Sequence, residues 1–191
     1  YNAAWIAAGM LANVTILDKN LDRLRHLDQI CVGRTTTLAS NRGSIERALV
    51  DADLVVGAVL VAGARAPIVV SEDMVRSMKP GSVIVDVAVD QGGCIATTRE
   101  TTHTDPIYMQ HGVVHYAVGN MPGAVPYTST YSLTNATLPY QLDVARHGAL
   151  GAVTQSEALR HGLNTARGHI TNDAVARELN LAFVDPITAL R

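Results

Sequence analysis

An α/β fold with a parallel sheet, followed by a helical tail, is what this sequence predicts. Three observations carry that prediction. Over residues 1 to about 120, short β-branched runs alternate with helical patterns, the signature of βαβ units. Runs such as Asp53-Leu-Val-Val-Gly57 and Ser82-Val-Ile-Val-Asp-Val87 are continuously apolar, as strands covered on both faces are. After Pro126 helical spacing takes over and the strand signal nearly stops.

Each element has a local reason. Tyr1–Leu11 is Ala-rich, with Trp5, Ile6 and Leu11 apolar, and reads as a helix from its first residue. No Ser, Thr or Asp precedes it as a cap, so the helix looks cut, and a segment upstream is expected. Asn13-Val-Thr-Ile-Leu-Asp18 reads as a strand ending in an acid. Leu21, Leu24 and Leu27 recur at helical spacing. Thr35–Leu38 reads as a strand, Ser44–Val50 as a helix and Asp53–Gly57 as a buried strand. Ser71 caps a helix whose first turn is acidic (Glu72, Asp73) and whose apolar face is Met74, Val75 and Met78. Lys79-Pro80-Gly81 stops it, with the lysine at the negative end of the dipole. Ser82–Val87 and Val113–Val118 are further strands. In the tail, Ser132–His147 is a long helix, 155–161 and 171–179 are shorter ones, and Ala182–Val184 gives the one later strand signal.

Composition narrows the function classes. Of the 191 residues, 48% are apolar and 17% charged, enough to bury a core and incompatible with disorder. The net charge is −2, with no basic stripe for nucleic acid and no polybasic membrane patch. No run reaches the ~18 consecutive apolar residues of a spanning helix. Neither nucleic acid nor membrane is expected as a partner. Cys31 and Cys94 stand far apart, which argues against a disulfide framework or a multi-cysteine zinc site. A reducing cytoplasm is the expected compartment.

Several residues could carry chemistry. Asp18 ends a strand at the place where, in a dinucleotide fold, an acid accepts hydrogen bonds from ribose hydroxyls and disfavours a 2′-phosphate. An Asp capping the next helix explains the position equally well. Arg23 could flank a nucleotide or be a solvated arginine. The small residues at Gly57-Ala58 and Ala62-Gly63-Ala64 let a ligand approach the backbone at a sheet's carboxyl edge, or merely serve a turn. Asp90 precedes a Gly-Gly loop after a buried strand and is a candidate site carboxylate, or a loop cap. Asn120–Pro126 is a proline-stiffened loop. His111 and His115, on one strand, would sit ~13 Å apart, too far for one metal. Asp143 and His147 share a helix face and could ligate a divalent cation or form an ion pair. Cys94 has no evident base beside it and reads as a small buried residue.

A resemblance joins these stretches. VTILDKN (14–20), ADLVVGAVLVAGARAP (52–67), MKPGSVIVDVAVDQGGC (78–94), the Thr101-Thr102-His103 loop, HGVVHYAVGNMPGAVPYTSTYSLTNATLPY (111–140) and GLNTARGHIT (162–171) resemble the alanine dehydrogenase family, in family order. The α subunit of nicotinamide nucleotide transhydrogenase is the related alternative, with the DQGGC form and TNATLPY helix favouring the dehydrogenase. The resemblance implies a Rossmann-like, doubly wound parallel sheet lacking its first strand, with residues 1–126 the NAD-binding domain. Residues 127–191 would be C-terminal helices of the substrate domain. It implies a cytoplasmic homohexamer interconverting L-alanine with pyruvate and ammonia, using NAD. Asp18 would hold the ribose, Arg23 would flank it, and Ser40 would lie near the adenine. Val59, Leu60, Val87, Ala88, Val89, Asp90, Arg99, Val118, Gly119, Asn120 and Met121 would line the rest of the cofactor. Asp90 would be catalytic, handling protons as the imine is hydrated. Asp143 and His147 match a divalent-metal position, giving Mg²⁺ as a further cofactor expectation. The family's N-terminal half, with its Gly-rich turn, lysine and histidine, has no counterpart in these residues. This chain alone is therefore expected to be inactive, as a truncated remnant would be.

Overall fold

The computed structural model describes residues 1–191 and divides them into two compact units. The first comprises Tyr1–Val59 and Pro67–Gly119; the second comprises Leu60–Ala66 and Asn120–Arg191.

The first unit is α/β. Helix α1 (Asn2–Gly9) starts at Tyr1 without a side-chain cap. Strand β1 (Val14–Asp18) leads into α2 (Leu21–Cys31), and β2 (Thr35–Ala39) pairs with β1 in parallel. Asn20 caps α2, its side-chain oxygen accepting the Asp22 and Arg23 N–H groups at 3.0 Å each. Helix α3 (Arg42–Asp51) is capped by Asn41. Strand β3 (Leu54–Gly57), helix α4 (Glu72–Arg76) and strand β4 (Val83–Asp86) follow. A hairpin of β5 (Ile107–Gln110) and β6 (Val113–Tyr116) completes a four-stranded sheet of order β3-β4-β6-β5. In it β3, β4 and β6 run parallel and β5 antiparallel. Its core is Val75, Ile84, Cys94, Ile95, Val113 and Val118, all essentially inaccessible.

Three expectations change. Asp53–Gly57 is not a buried strand: β3 pairs only with β4 and is an edge, so Leu54 and Val56 are exposed. No hydrogen bonds join β1–β2 to the other sheet, so the parallel sheet comes in two pieces. Lys79 does not sit at the end of its own helix. Its Nζ donates to the Asp51 carbonyl at 2.7 Å, the last residue of α3, so the cation meets the negative end of that helix.

The second unit is mostly helical. Helix α5 (Pro126–Gln155) is broken at Gly148, whose φ of 66° and ψ of 172° suit only glycine. Helix α6 (Glu157–Gly162) follows, then a short hairpin of β7 (Thr165–Ala166) and β8 (His169–Ile170), α7 (Asp173–Glu178) and α8 (Pro186–Leu190). The strand signal at 182–184 becomes a single bridge from Phe183 to Ile170. No helix is long and apolar enough to cross a membrane.

Candidate functional site

Parallel pairing puts the carboxyl ends of strands on a common edge, where such sheets bind ligands. In the second sheet Gly57 of β3 registers with Asp86 of β4, and Val85 with Tyr116 of β6. The chain therefore leaves all three strands on one side, delivering Val59, Val87–Asp90 and Val118–Gly119 there. In the first sheet Asp18 registers with Ala39, and the Ser40 N–H donates to the Asp18 carbonyl at 2.9 Å. Asp18 does not cap α2, since Asn20 does that. Its Oδ1 instead accepts the Asn20 N–H at 2.8 Å. Arg23 is exposed in the first turn of α2. Leu60, Asn120 and Met121 belong to the second unit, with Asn120 left-handed (φ 54°, ψ 54°) ahead of a 3₁₀ turn.

Asp90 is exposed on a 3₁₀ turn, Val89–Gln91, and that turn is clasped from below by Asp86. The Asp86 side chain is wholly buried at the end of β4. Its Oδ1 accepts the Ala88 N–H at 3.0 Å and the Cys94 thiol at 3.5 Å; its Oδ2 accepts the Cys94 N–H at 2.9 Å. A buried carboxylate is tolerable only with such donors. The loop closes through Gly92 (φ 92°) and Gly93 (φ 76°), two consecutive left-handed residues. A Cβ on Gly93 would stand 3.0 Å from Asp86 Oδ2. Burial, with the Asp86 charge beside it, pushes the Cys94 thiol up to about 11, so it stays protonated and donates. The glycine at 57 is needed for this packing. A Cβ there would lie 2.6 Å from Cys94 Sγ and 3.2 Å from Ile95 Cδ1.

The stretch after β6 is also held. Val118 forms a parallel bridge with Thr101, and the Gly119 N–H donates to the Thr101 carbonyl at 3.1 Å. A side chain at Gly119 would run into the Glu100 carboxylate. Next to this, the Arg99 guanidinium carbon lies 4.1 Å from the centroid of the Tyr108 ring, and the Arg99 N–H donates to the Tyr108 hydroxyl at 2.9 Å.

The family described as "Alanine dehydrogenase/PNT, C-terminal domain" matches residues 1–173. This chain belongs to the alanine dehydrogenase family. Alanine dehydrogenase of Bacillus subtilis (strain 168) is 56% identical over 191 residues, covering 100% of this chain and 50% of that protein. Alanine dehydrogenase of Methanococcus maripaludis is 56% identical over 190 residues, covering 99% and 51%. A solved L-alanine dehydrogenase superposes with a TM-score of 0.81 at 49% identity, over 93% of this chain and 49% of that one. A transhydrogenase from Sinorhizobium meliloti gives 0.58 at 24% identity, over 68% and 36%, and shares the fold. The chain spans about half the length of the curated relatives it matches.

Within this alanine dehydrogenase-family chain, the expected metal pair lies on one helix. Asp143 and His147 sit one turn apart on α5, and His147 Nδ1 donates to the Asp143 backbone carbonyl at 3.1 Å. No group of three His, Cys, Asp or Glu residues gathers there or elsewhere. The two spaced histidines are also separated by structure. His111 occupies the left-handed β5–β6 turn and meets Glu72 at 2.8 Å, while His115 is buried in β6. His111 and Arg76 beside it hold the Glu72 carboxyl below the usual range. His103 is exposed in the loop between Thr101 and Pro106.

The sequence reading leaves out Asp86 and Tyr108, and weighs His115 only as a metal ligand. Asp86 had a visible signal: an acid inside the apolar run Ser82–Val87 must be buried with donors around it. Tyr108 had none, because β5 itself was not recognised.

Proposed function

We propose that this chain is the nucleotide-binding half of a cytoplasmic, homohexameric, NAD-dependent alanine dehydrogenase, which interconverts L-alanine with pyruvate and ammonia. The single observation that carries the reading is an exposed acid, Asp90, on a loop fixed by a buried one, Asp86, at the shared carboxyl edge of three parallel strands. The names of the similar proteins support alanine as the substrate.

The residues fit a dinucleotide. One Asp18 oxygen is used by Asn20, which leaves the other for a ribose hydroxyl. A carboxylate there repels a 2′-phosphate and so selects NAD over its phosphorylated form. Ser40 and Arg23 flank the adenosine end. Val59, Val87, Ala88, Val89, Val118 and Gly119 line the remainder, and Arg99 offers donors to its oxygens. When bound, NAD would supply the acceptor for the hydride of the alanine Cα. The Asp90 carboxylate then takes a proton from the water that attacks the imine carbon, and returns it to the departing nitrogen. Oxidation releases protons, so alkaline conditions favour it. We derive no step through Mg²⁺: Asp143 and His147 would need water or another chain to complete a site. The 191 residues alone are taken to be inactive, since the substrate would also need groups from outside this chain.

The test uses the full-length protein, with NADH oxidation in pyruvate and ammonia. Asp90→Asn is expected to lower turnover by at least about a hundredfold while NADH still binds. Loss of NADH binding together with activity would make Asp90 a structural residue. Hydride transfer to an NADP analogue without alanine turnover would favour the transhydrogenase reading instead.

A further inference from the structure

Of the expected cofactor contacts, Arg99 is the one that Tyr108 meets directly, and His115 lies against Tyr108. The Tyr108 ring carries the Arg99 guanidinium at 4.1 Å and stacks on the His115 ring, with centroids 4.9 Å apart and planes 19° off parallel. Its hydroxyl accepts the Arg99 N–H at 2.9 Å and donates to the Thr97 carbonyl at 2.8 Å. His115 is wholly buried beneath. Its Nδ1 lies 3.0 Å from the Val113 carbonyl and must donate to it. Nε2 is therefore the acceptor, taking the Thr97 hydroxyl at 2.8 Å. One tautomer satisfies both bonds, so the imidazole is fixed as a flat neutral base for the Tyr108 ring.

A guanidinium keeps its N–H donors in its own plane. Held 4.1 Å above the ring centroid, the Arg99 head keeps N–H donors that carboxylates, phosphates and ribose oxygens can take. Arg99 is exposed, and an exposed arginine ordinarily loses rotamer freedom when a ligand orders it. Here much of that freedom is already lost on folding, both at the backbone, through the hydroxyl, and at the head, through the ring.

We propose that Tyr108, backed by His115, is a positioning residue that pre-orders Arg99 for the oxygen atoms of the bound dinucleotide. The proposal rests on the reading of Arg99 as a cofactor contact. The experiment measures NADH dissociation constants by fluorescence titration of the full-length protein, for Arg99→Ala, Tyr108→Leu and the double variant. Arg99→Ala and Tyr108→Leu are each expected to weaken NADH about fivefold, and the double variant no more than Arg99→Ala alone. An unchanged constant in Tyr108→Leu, with Arg99→Ala weakened, overturns the inference. So does a double-variant loss equal to the product of the two single losses, because Tyr108 would then act independently. An unchanged constant in Arg99→Ala overturns the underlying reading of Arg99 itself. Should Tyr108→Leu fail to fold, Tyr108→Phe keeps the ring and removes both hydroxyl bonds. Affinity within about twofold of the parent supports the stacked platform. A loss as large as that of Arg99→Ala contradicts it.

Discussion

Gly57 shows how closely single residues set this site. Its missing side chain is what lets Cys94 reach under the β3–β4 edge and donate to Asp86. Gly57→Ala would drive a methyl into Cys94 Sγ at 2.6 Å, so the loop carrying Asp90 must shift. The expected cost is about 1–3 kcal/mol, read by urea denaturation. Because the worst contact is the sulfur, adding Cys94→Ala should recover part of that loss, leaving the Ile95 contact at 3.2 Å and the Asp86 Oδ1 contact at 3.4 Å. A double variant less stable than the sum of its parts would show that the clash lies elsewhere. Asp18 was legible as a strand-end acid, and its second reading as a helix cap was settled by Asn20 two residues on. The role of Gly57 was not legible, because Cys94 is remote in sequence and only the register of β3 on β4 brings it close.

Among the elements, those with local signals were read correctly. Leucine spacing announces α2, the run Ser44–Val50 announces α3, Ser71 announces α4, and the β-branched runs mark β1, β2, β4 and β6. Strand β5 was missed because Ile107–Gln110 is short and its reason for being extended is the pairing with β6 rather than its own composition. The exposure of β3 was also hidden, since an apolar run looks the same at an edge and in the middle of a sheet. The β5–β6 hairpin has its own pH signature. Burial pushes the His115 imidazole below its ordinary 6.5. In the unfolded chain it binds a proton more readily than in the folded one. Its contribution to stability is therefore complete above about pH 6.5 and is lost as pH falls below that value. Denaturation at pH 7.5 and pH 5.5 should show a smaller pH difference for His115→Phe, which keeps a ring against Tyr108, than for the parent. An equal difference would place the titration on other groups.

Across the whole molecule, apolar side chains remain outside. Leu54 and Val56 on β3, and Tyr127, Tyr131, Leu133 and Leu138 on α5, are all exposed. Surfaces of that kind mark places where further protein packs, in keeping with a chain that spans about half the length of its relatives. The proposed function rests on one chemical event above all: a hydride leaving a carbon beside Asp90 for NAD. The most direct test supplies L-alanine deuterated at Cα, with NAD⁺, to the full-length protein and weighs the NADH formed. One deuteron recovered in each NADH is the result predicted here. Turnover with the deuterium released to water, or no NADH at all, would contradict the account.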